Sequence, residues 1–85
     1  MATATPQPSP NPNALRFQLD VTLPALVSFA GAEEAEGHPF ARAVFAAGNV
    51  TNVFATNDFV TVSRVAGADW EPIIAAVQQA AADHL

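Results

Sequence analysis

The sequence predicts an α+β domain of two layers, in which an antiparallel four-stranded sheet carries two helices on one face in the order β-β-α-β-β-α. Three patterns lead to this prediction. They are a strict apolar–polar alternation at residues 14–20, two β-rich runs joined by turn residues at 56–58, and apolar residues at helical spacing from Trp70 onward. A chain of 85 residues forms one modest core and does not also enclose a large substrate cleft.

Residues 1–12 are predicted to be a flexible proline-rich segment in front of a single domain at 13–85. From residue 6 onward, this segment has a proline at every second position: Pro6, Pro8, Pro10 and Pro12. Such a composition is typical of an extended polyproline or disordered chain. The segment has no basic residue and no apolar run, so it does not have the pattern of a secretory signal.

The first strand is predicted at residues 14–20, where apolar and polar side chains alternate. Leu15, Phe17 and Leu19 fall on one face of such a strand, and polar side chains fall on the other. A second and weaker strand is predicted at 25–29. An acidic loop follows at 30–37.

A short helix is predicted to begin at Pro39 and to end at Gly48 and Asn49. Proline fits the first helical position because its missing N–H would have no partner there. Glycine and asparagine both tolerate the left-handed conformation that commonly ends a helix.

Two further strands, at 50–55 and 59–65, are predicted to form a hairpin. The alternation in the second of them separates two valines from three other side chains: Val60 and Val62 on one face, and Phe59, Thr61 and Ser63 on the other. The open face of the sheet is therefore expected to present the second group.

The last helix is predicted to begin after Asp69, whose carboxylate can cap it. Its apolar residues recur at helical spacing: Trp70, Ile73, Ile74, Val77, Ala80, Ala81 and Leu85. Alanine contributes little buried area, so the core is expected to depend on the aromatic residues together with Leu, Val and Ile. These aromatic residues are Phe17, Phe29, Phe40, Phe45, Phe54, Phe59 and Trp70.

The composition excludes several kinds of chemistry. The chain has no cysteine, which excludes disulfides, thiolate metal sites and a cysteine nucleophile. It has no tyrosine and no glycine-rich phosphate loop, and its histidines and serines show no spacing typical of a base and a nucleophile. The sequence therefore predicts a protein that is not an enzyme and that carries no cofactor.

The charge balance argues against nucleic acid and membrane partners. Three arginines, no lysine and eight acidic residues give a net charge of −5, whereas phosphate backbones and anionic lipids attract basic surfaces. No apolar stretch approaches the roughly 20 residues that span a bilayer. We expect a cytoplasmic protein.

Four segments, in order along the chain, resemble the N-terminal domain of Nfu/NifU-type scaffold proteins. They are 9–17 (SPNPNALRF), 39–45 (PFARAVF), 50–54 with 58–64 (VTNVF and DFVTVSR), and 69–70 (DW). The resemblance covers about residues 9–85. Two positions depart from the family pattern: Asn49 stands where glycine is usual, and His38 where serine is frequent. Asparagine tolerates positive φ, so the first departure is mild.

The resemblance implies a role in iron–sulfur cluster assembly. In two-domain members, a separate C-terminal domain with a Cys-x-x-Cys pair carries the cluster. This chain has no such pair and looks like a stand-alone N-terminal domain. The leading hypothesis is a non-catalytic accessory domain that binds proteins of iron–sulfur cluster assembly or their clients.

Five residues are predicted to bind a partner or an anion: Arg16, Arg42, Arg64, Phe59 and Thr61. The arginines are the only basic residues apart from histidine, and they fall where the resembling family carries basic residues. A guanidinium can bind a carboxylate or phosphate through two parallel hydrogen bonds. Phe59 and Thr61 lie on the predicted open face, where an aromatic ring can anchor a partner. The alternative is that the arginines are solvated or paired with the acidic residues.

Two other functions stay open at this point. A weak iron site could form from the acidic loop and the histidine that follows it: Glu33, Glu34, Glu36 and His38. The domain could instead be a regulatory module that binds peptides or anions and has no connection with clusters.

Overall fold

A computed structural model describes residues 2–7, 13–23, 26–31 and 33–85. Its elements are β1 (Ala4–Gln7), β2 (Ala14–Leu19), β3 (Val27–Phe29), α1 (Pro39–Phe45), β4 (Val50–Thr56), β5 (Phe59–Arg64) and α2 (Trp70–His84). The strands form one antiparallel sheet in the order β1-β2-β5-β4-β3. The prediction of an α+β fold with two helices and an antiparallel sheet is confirmed.

The sheet has five described strands, so the prediction of four strands is wrong. The additional strand is β1, which lies inside the segment predicted to be flexible. It pairs antiparallel with β2, from Ala4 opposite Leu19 to Gln7 opposite Arg16. Pro6 is compatible with this strand because β1 is at the edge of the sheet, where a missing N–H removes no ladder hydrogen bond.

Two small side chains explain why this segment is ordered. Ala2 and Ala4 are buried, and the Ala2 N–H donates to the Ala81 carbonyl at 3.1 Å. The chain start is thus bound both to the sheet and to α2. The rest of the predicted flexible segment, residue 1 and residues 8–12, lies outside the described residues. The second predicted strand, at 25–29, corresponds to β3, which begins at Val27; Leu26 is outside the strand, and residue 25 is not described.

Both helices pack on one face of the sheet and form a single core with it. The largest fully buried side chains come from β2, α1, β4, β5 and α2: Phe17, Phe40, Val44, Val53, Val60, Val62, Ile73 and Val77. Phe45 is also buried, and Phe29 and Trp70 are partly buried against this core. The predicted core was wrong for Phe54 and Phe59, which lie on the opposite face of the sheet.

The turns follow the predicted conformations. Gly48 and Asn49 have φ of 78° and 60° directly after α1, and Asn57 has φ of 50° in the β4–β5 turn. Asparagine adopts this region more readily than other side chains because it is short and polar. Within the described part of the chain, neither helix combines the length and apolarity that a membrane span requires.

We predict that Ala4→Asp lowers the free energy of unfolding by about 2 kcal/mol or more, because it places a carboxyl at a position that is 1% exposed. Thr5→Asp changes the exposed neighbouring residue and should cost less than about 0.5 kcal/mol. Urea unfolding followed by circular dichroism measures both. Equal effects of the two substitutions would show that β1 is not part of the folded domain.

Candidate functional site

The face of the sheet opposite the helices is the candidate partner-binding surface, and we call it the open face. Because side chains alternate along each strand, the same face receives one side chain in two from every strand. One row crosses all five strands through successive paired residues: Gln7, Arg16, Thr61, Phe54 and Ser28. The next row contains Thr5, Gln18, Phe59 and Thr56.

An arginine and two phenylalanines lie at the centre of the open face. The Arg16 guanidinium carbon lies 4.1 Å from the centroid of the Phe59 ring. The Phe59 and Phe54 centroids are 6.2 Å apart, with 36° between the ring planes. The stacking of a guanidinium on a ring is attractive because the ring face carries partial negative charge. The structure therefore brings three of the five predicted residues together, Arg16, Phe59 and Thr61.

Phe54 was missed as a site residue by the sequence-based prediction. Its β4 neighbours Val53 and Ala55 are buried under the helices, so alternation places Phe54 on the other face. The signal was present in the sequence, because Phe54 stands between two small apolar residues. Hydrophobicity alone assigns an aromatic ring to the core, whereas the alternation along β4 places Phe54 on the opposite face.

The open face has an unusual charge for this protein. Among its described strand residues, Arg16 is the one charged side chain, and the others are phenylalanines, neutral polar residues and Ala14. The acidic residues lie elsewhere, in the loop before α1, the turns and α2. A net charge of −5 for the chain thus coexists with one positive charge among the described strand residues of this face.

Arg64 does not join Arg16 in a shared site. It donates to Asn13 Oδ1 at 3.4 Å and to the Ala68 carbonyl, and its guanidinium lies 5.2 Å from the Trp70 ring centroid. These contacts connect the end of β5 to the start of β2 and to the first residue of α2. Arg64 is therefore a structural residue that positions α2.

Arg42 lies on α1, away from the open face. It is exposed and borders a groove that Glu36 and His84 also border. None of the three arginines forms an ion pair with a described acidic side chain. The alternative prediction is that the arginines are solvated or paired with acidic residues, and the exposed positions of Arg16 and Arg42 are compatible with its first half.

Two of the four residues proposed for a weak iron site, His38 and Glu34, have other partners. His38 precedes α1, and its Nδ1 accepts from the Ala41 N–H at 3.3 Å. Its ring lies 5.2 Å from the ring of Phe29 and 6.4 Å from that of Phe40. Glu34 Oε2 accepts from the Ala30 N–H at 3.2 Å. Among the described residues, no three side chains of the types that bind metals are grouped to hold an ion.

The structure is an α+β domain in which an antiparallel sheet has two helices on one face and an arginine–aromatic cluster on the other. The family model described as "Scaffold protein Nfu/NifU N terminal" matches residues 5–85. The chain belongs to this family, which confirms the resemblance found in the sequence. The match begins within β1, in agreement with the place of that strand in the sheet.

One solved structure shows the same fold. The X-ray crystal structure of protein SAV1430 from Staphylococcus aureus superimposes with a TM-score of 0.76 at 18% sequence identity. The superposition covers 92% of this chain and 96% of that one. No curated protein matches the chain.

We predict that Arg64→Ala lowers the free energy of unfolding by about 1–2 kcal/mol, because it removes charge-assisted hydrogen bonds and the contact with Trp70. Arg42→Ala is the matched control and should change stability by less than about 0.5 kcal/mol. Thermal and urea unfolding measure both. An Arg64 variant as stable as the Arg42 variant would contradict the structural role.

His38 gives a second stability prediction. His38→Asn retains an acceptor that can cap α1, whereas His38→Ala does not. Both variants lose the contacts with Phe29 and Phe40, so the difference between them isolates the cap. We expect the asparagine variant to be more stable than the alanine variant by about 1 kcal/mol in urea unfolding. Equal stabilities would mean that the Nδ1 hydrogen bond contributes nothing to the fold.

Proposed function

We propose that this chain is a non-catalytic accessory domain that binds a protein of iron–sulfur cluster assembly, or a protein that receives clusters, through its open face. Membership of a scaffold-protein family supports the connection with cluster assembly. The stack of Arg16 on Phe59 is the observation that carries the choice of surface.

The arginine–aromatic stack has the properties of an interface anchor. The Phe59 ring covers one face of the Arg16 guanidinium, and the N–H groups at the edge of the guanidinium remain available to a partner. Phe54 extends the apolar area beside it. Aromatic and arginine side chains dominate the binding energy of protein interfaces, particularly at the centre of the contact. The threonine and glutamine side chains around them supply the polar rim.

The charge of the open face selects the kind of partner. Since Arg16 is the one charge among its described strand residues, a complementary surface has an apolar patch next to a carboxylate. The acidic remainder of the domain repels a uniformly acidic protein. The partner is therefore a protein with one local carboxylate beside an apolar side chain.

The side chains of the open face favour binding over catalysis. They are hydroxyls, amides, phenyl rings and one guanidinium, and they include no pair of a nucleophile and a base. Their chemistry supports recognition, with no cofactor held by this domain. The cluster chemistry belongs to the partner in this proposal.

A photo-cross-linking experiment tests the partner class. A benzophenone side chain replaces Phe54 on the open face, and a control carries it at Gln79, which is exposed on α2. Both are expressed in the cells from which the protein comes, irradiated, and analysed by mass spectrometry. We expect adducts at position 54, and not at 79, with cluster-assembly proteins or proteins that contain iron–sulfur clusters. Adducts with unrelated proteins only, or equal yields at both positions, would overturn the proposal.

The affinity of the purified partner tests the individual residues. Arg16→Ala and Phe59→Ala should each weaken binding about tenfold or more, as expected for central anchors. Arg16→Lys should restore only part of the loss, because an ammonium lacks the planar group that stacks and donates in parallel. Arg42→Ala, away from the open face, should bind as the unaltered protein does. Calorimetry or biolayer interferometry measures these values, and a loss with Arg42→Ala alone would place the interface elsewhere.

A further inference from the structure

Two adjoining cavities lie on the helix side of the sheet, where the beginning of α1 meets the end of α2. The first has a volume of about 370 Å³ and the second about 330 Å³. Both are bordered by Pro39 and His84, so they are neighbours that share part of their walls. This pair of cavities faces away from Arg16 and Phe59, and nothing in the proposed function uses it.

The first cavity is apolar. Its wall includes Leu23, Val27, Phe40, Ala55 and Leu85. Its volume is at the small end of the roughly 300–1,000 Å³ typical of ligand sites, so it suits one apolar group of the size of a leucine or phenylalanine side chain. His38 also borders this cavity, but its Nδ1 is already occupied by the Ala41 N–H.

The second cavity carries one positive and one negative side chain. Arg42 and Glu36 both border it, and they do not form an ion pair with each other. Two opposite charges that face one groove without neutralising each other can each bind an opposite charge of a ligand. A ligand with a single charge would be attracted by one of them and repelled by the other.

We propose that this site binds a free apolar α-amino acid. The side chain of the ligand occupies the first cavity, its carboxylate pairs with Arg42, and its ammonium pairs with Glu36. A free amino acid carries both charges on one carbon and so brings both of them to the same groove. The end of a polypeptide carries only one of them, which argues against a peptide terminus as the occupant. This inference is independent of the proposed function, because the two sites are on opposite faces of the sheet.

Titration of the isotopically labelled protein tests the site by nuclear magnetic resonance. The probes are L-phenylalanine, N-acetyl-L-phenylalanine, which lacks the ammonium, and L-phenylalaninamide, which lacks the carboxylate. We expect L-phenylalanine to shift the amide signals of residues 36–42, 84 and 85, and to bind roughly two- to fivefold more tightly than either derivative, as expected for exposed charge pairs. Shifts confined to the open face, no shifts, or tighter binding of a derivative would overturn the proposal.

Two variants assign the charges. In Arg42→Gln, the free acid and the amide should bind equally, while the N-acetyl derivative still binds more weakly. In Glu36→Gln, the N-acetyl derivative should bind as well as the free amino acid, while the amide still binds more weakly. Glu71→Gln, on the exposed first turn of α2, is the control and should retain the full preference. If the N-acetyl derivative still binds more weakly than the free amino acid in Glu36→Gln, its weaker binding has a steric cause. That result would overturn the assignment of Glu36 as the partner of the ammonium. A preference for the free acid over the amide that persists in Arg42→Gln would overturn that of Arg42.

Discussion

The register between β2 and β5 is the constraint on which the rest of the structure depends. Phe17 lies opposite Val60, and Leu15 opposite Val62, so large apolar side chains from the two central strands meet under the helices. The same pairing places Arg16 opposite Thr61 and Gln18 opposite Phe59 on the other face. Because side chains alternate with a period of two, a slip by one residue would exchange the side chains of the core with those of the open face. The burial of Phe17 and the exposure of Arg16 thus have one common cause.

The three arginines have different surroundings in the structure. On the open face, Arg16 is held on the Phe59 ring, where no described carboxylate neutralises it. On the helix side, Arg42 shares a groove with Glu36. The Arg64 guanidinium donates hydrogen bonds to Asn13 Oδ1 and to the Ala68 carbonyl. Three residues of one type in an acidic chain therefore have three separate environments, which their common chemistry alone does not indicate.

Local patterns in the sequence predict much of this fold. The alternation of apolar and polar side chains predicts β2, and apolar residues at helical spacing predict α2. Asn57 predicts the turn of the β4–β5 hairpin. The placement of Arg16, Phe59 and Thr61 on one surface also follows from alternation, whereas the family resemblance rests on four ordered segments of sequence. The strand β1 does not, because its order depends on a partner strand and on α2, which are distant in sequence. The two cavities depend likewise on side chains from four elements and their connecting segments, so no short segment of sequence indicates them.

The two edges of the sheet have a consequence for the behaviour of the protein at high concentration. One edge is β1, a strand of four residues that contains Pro6, and the other is β3, a strand of three. A proline and a short length both deprive an incoming strand of hydrogen-bond partners, so neither edge is a good template for edge-to-edge aggregation. Among the described residues the sheet has five strands, and both of its edges disfavour the addition of a further strand through backbone hydrogen bonds.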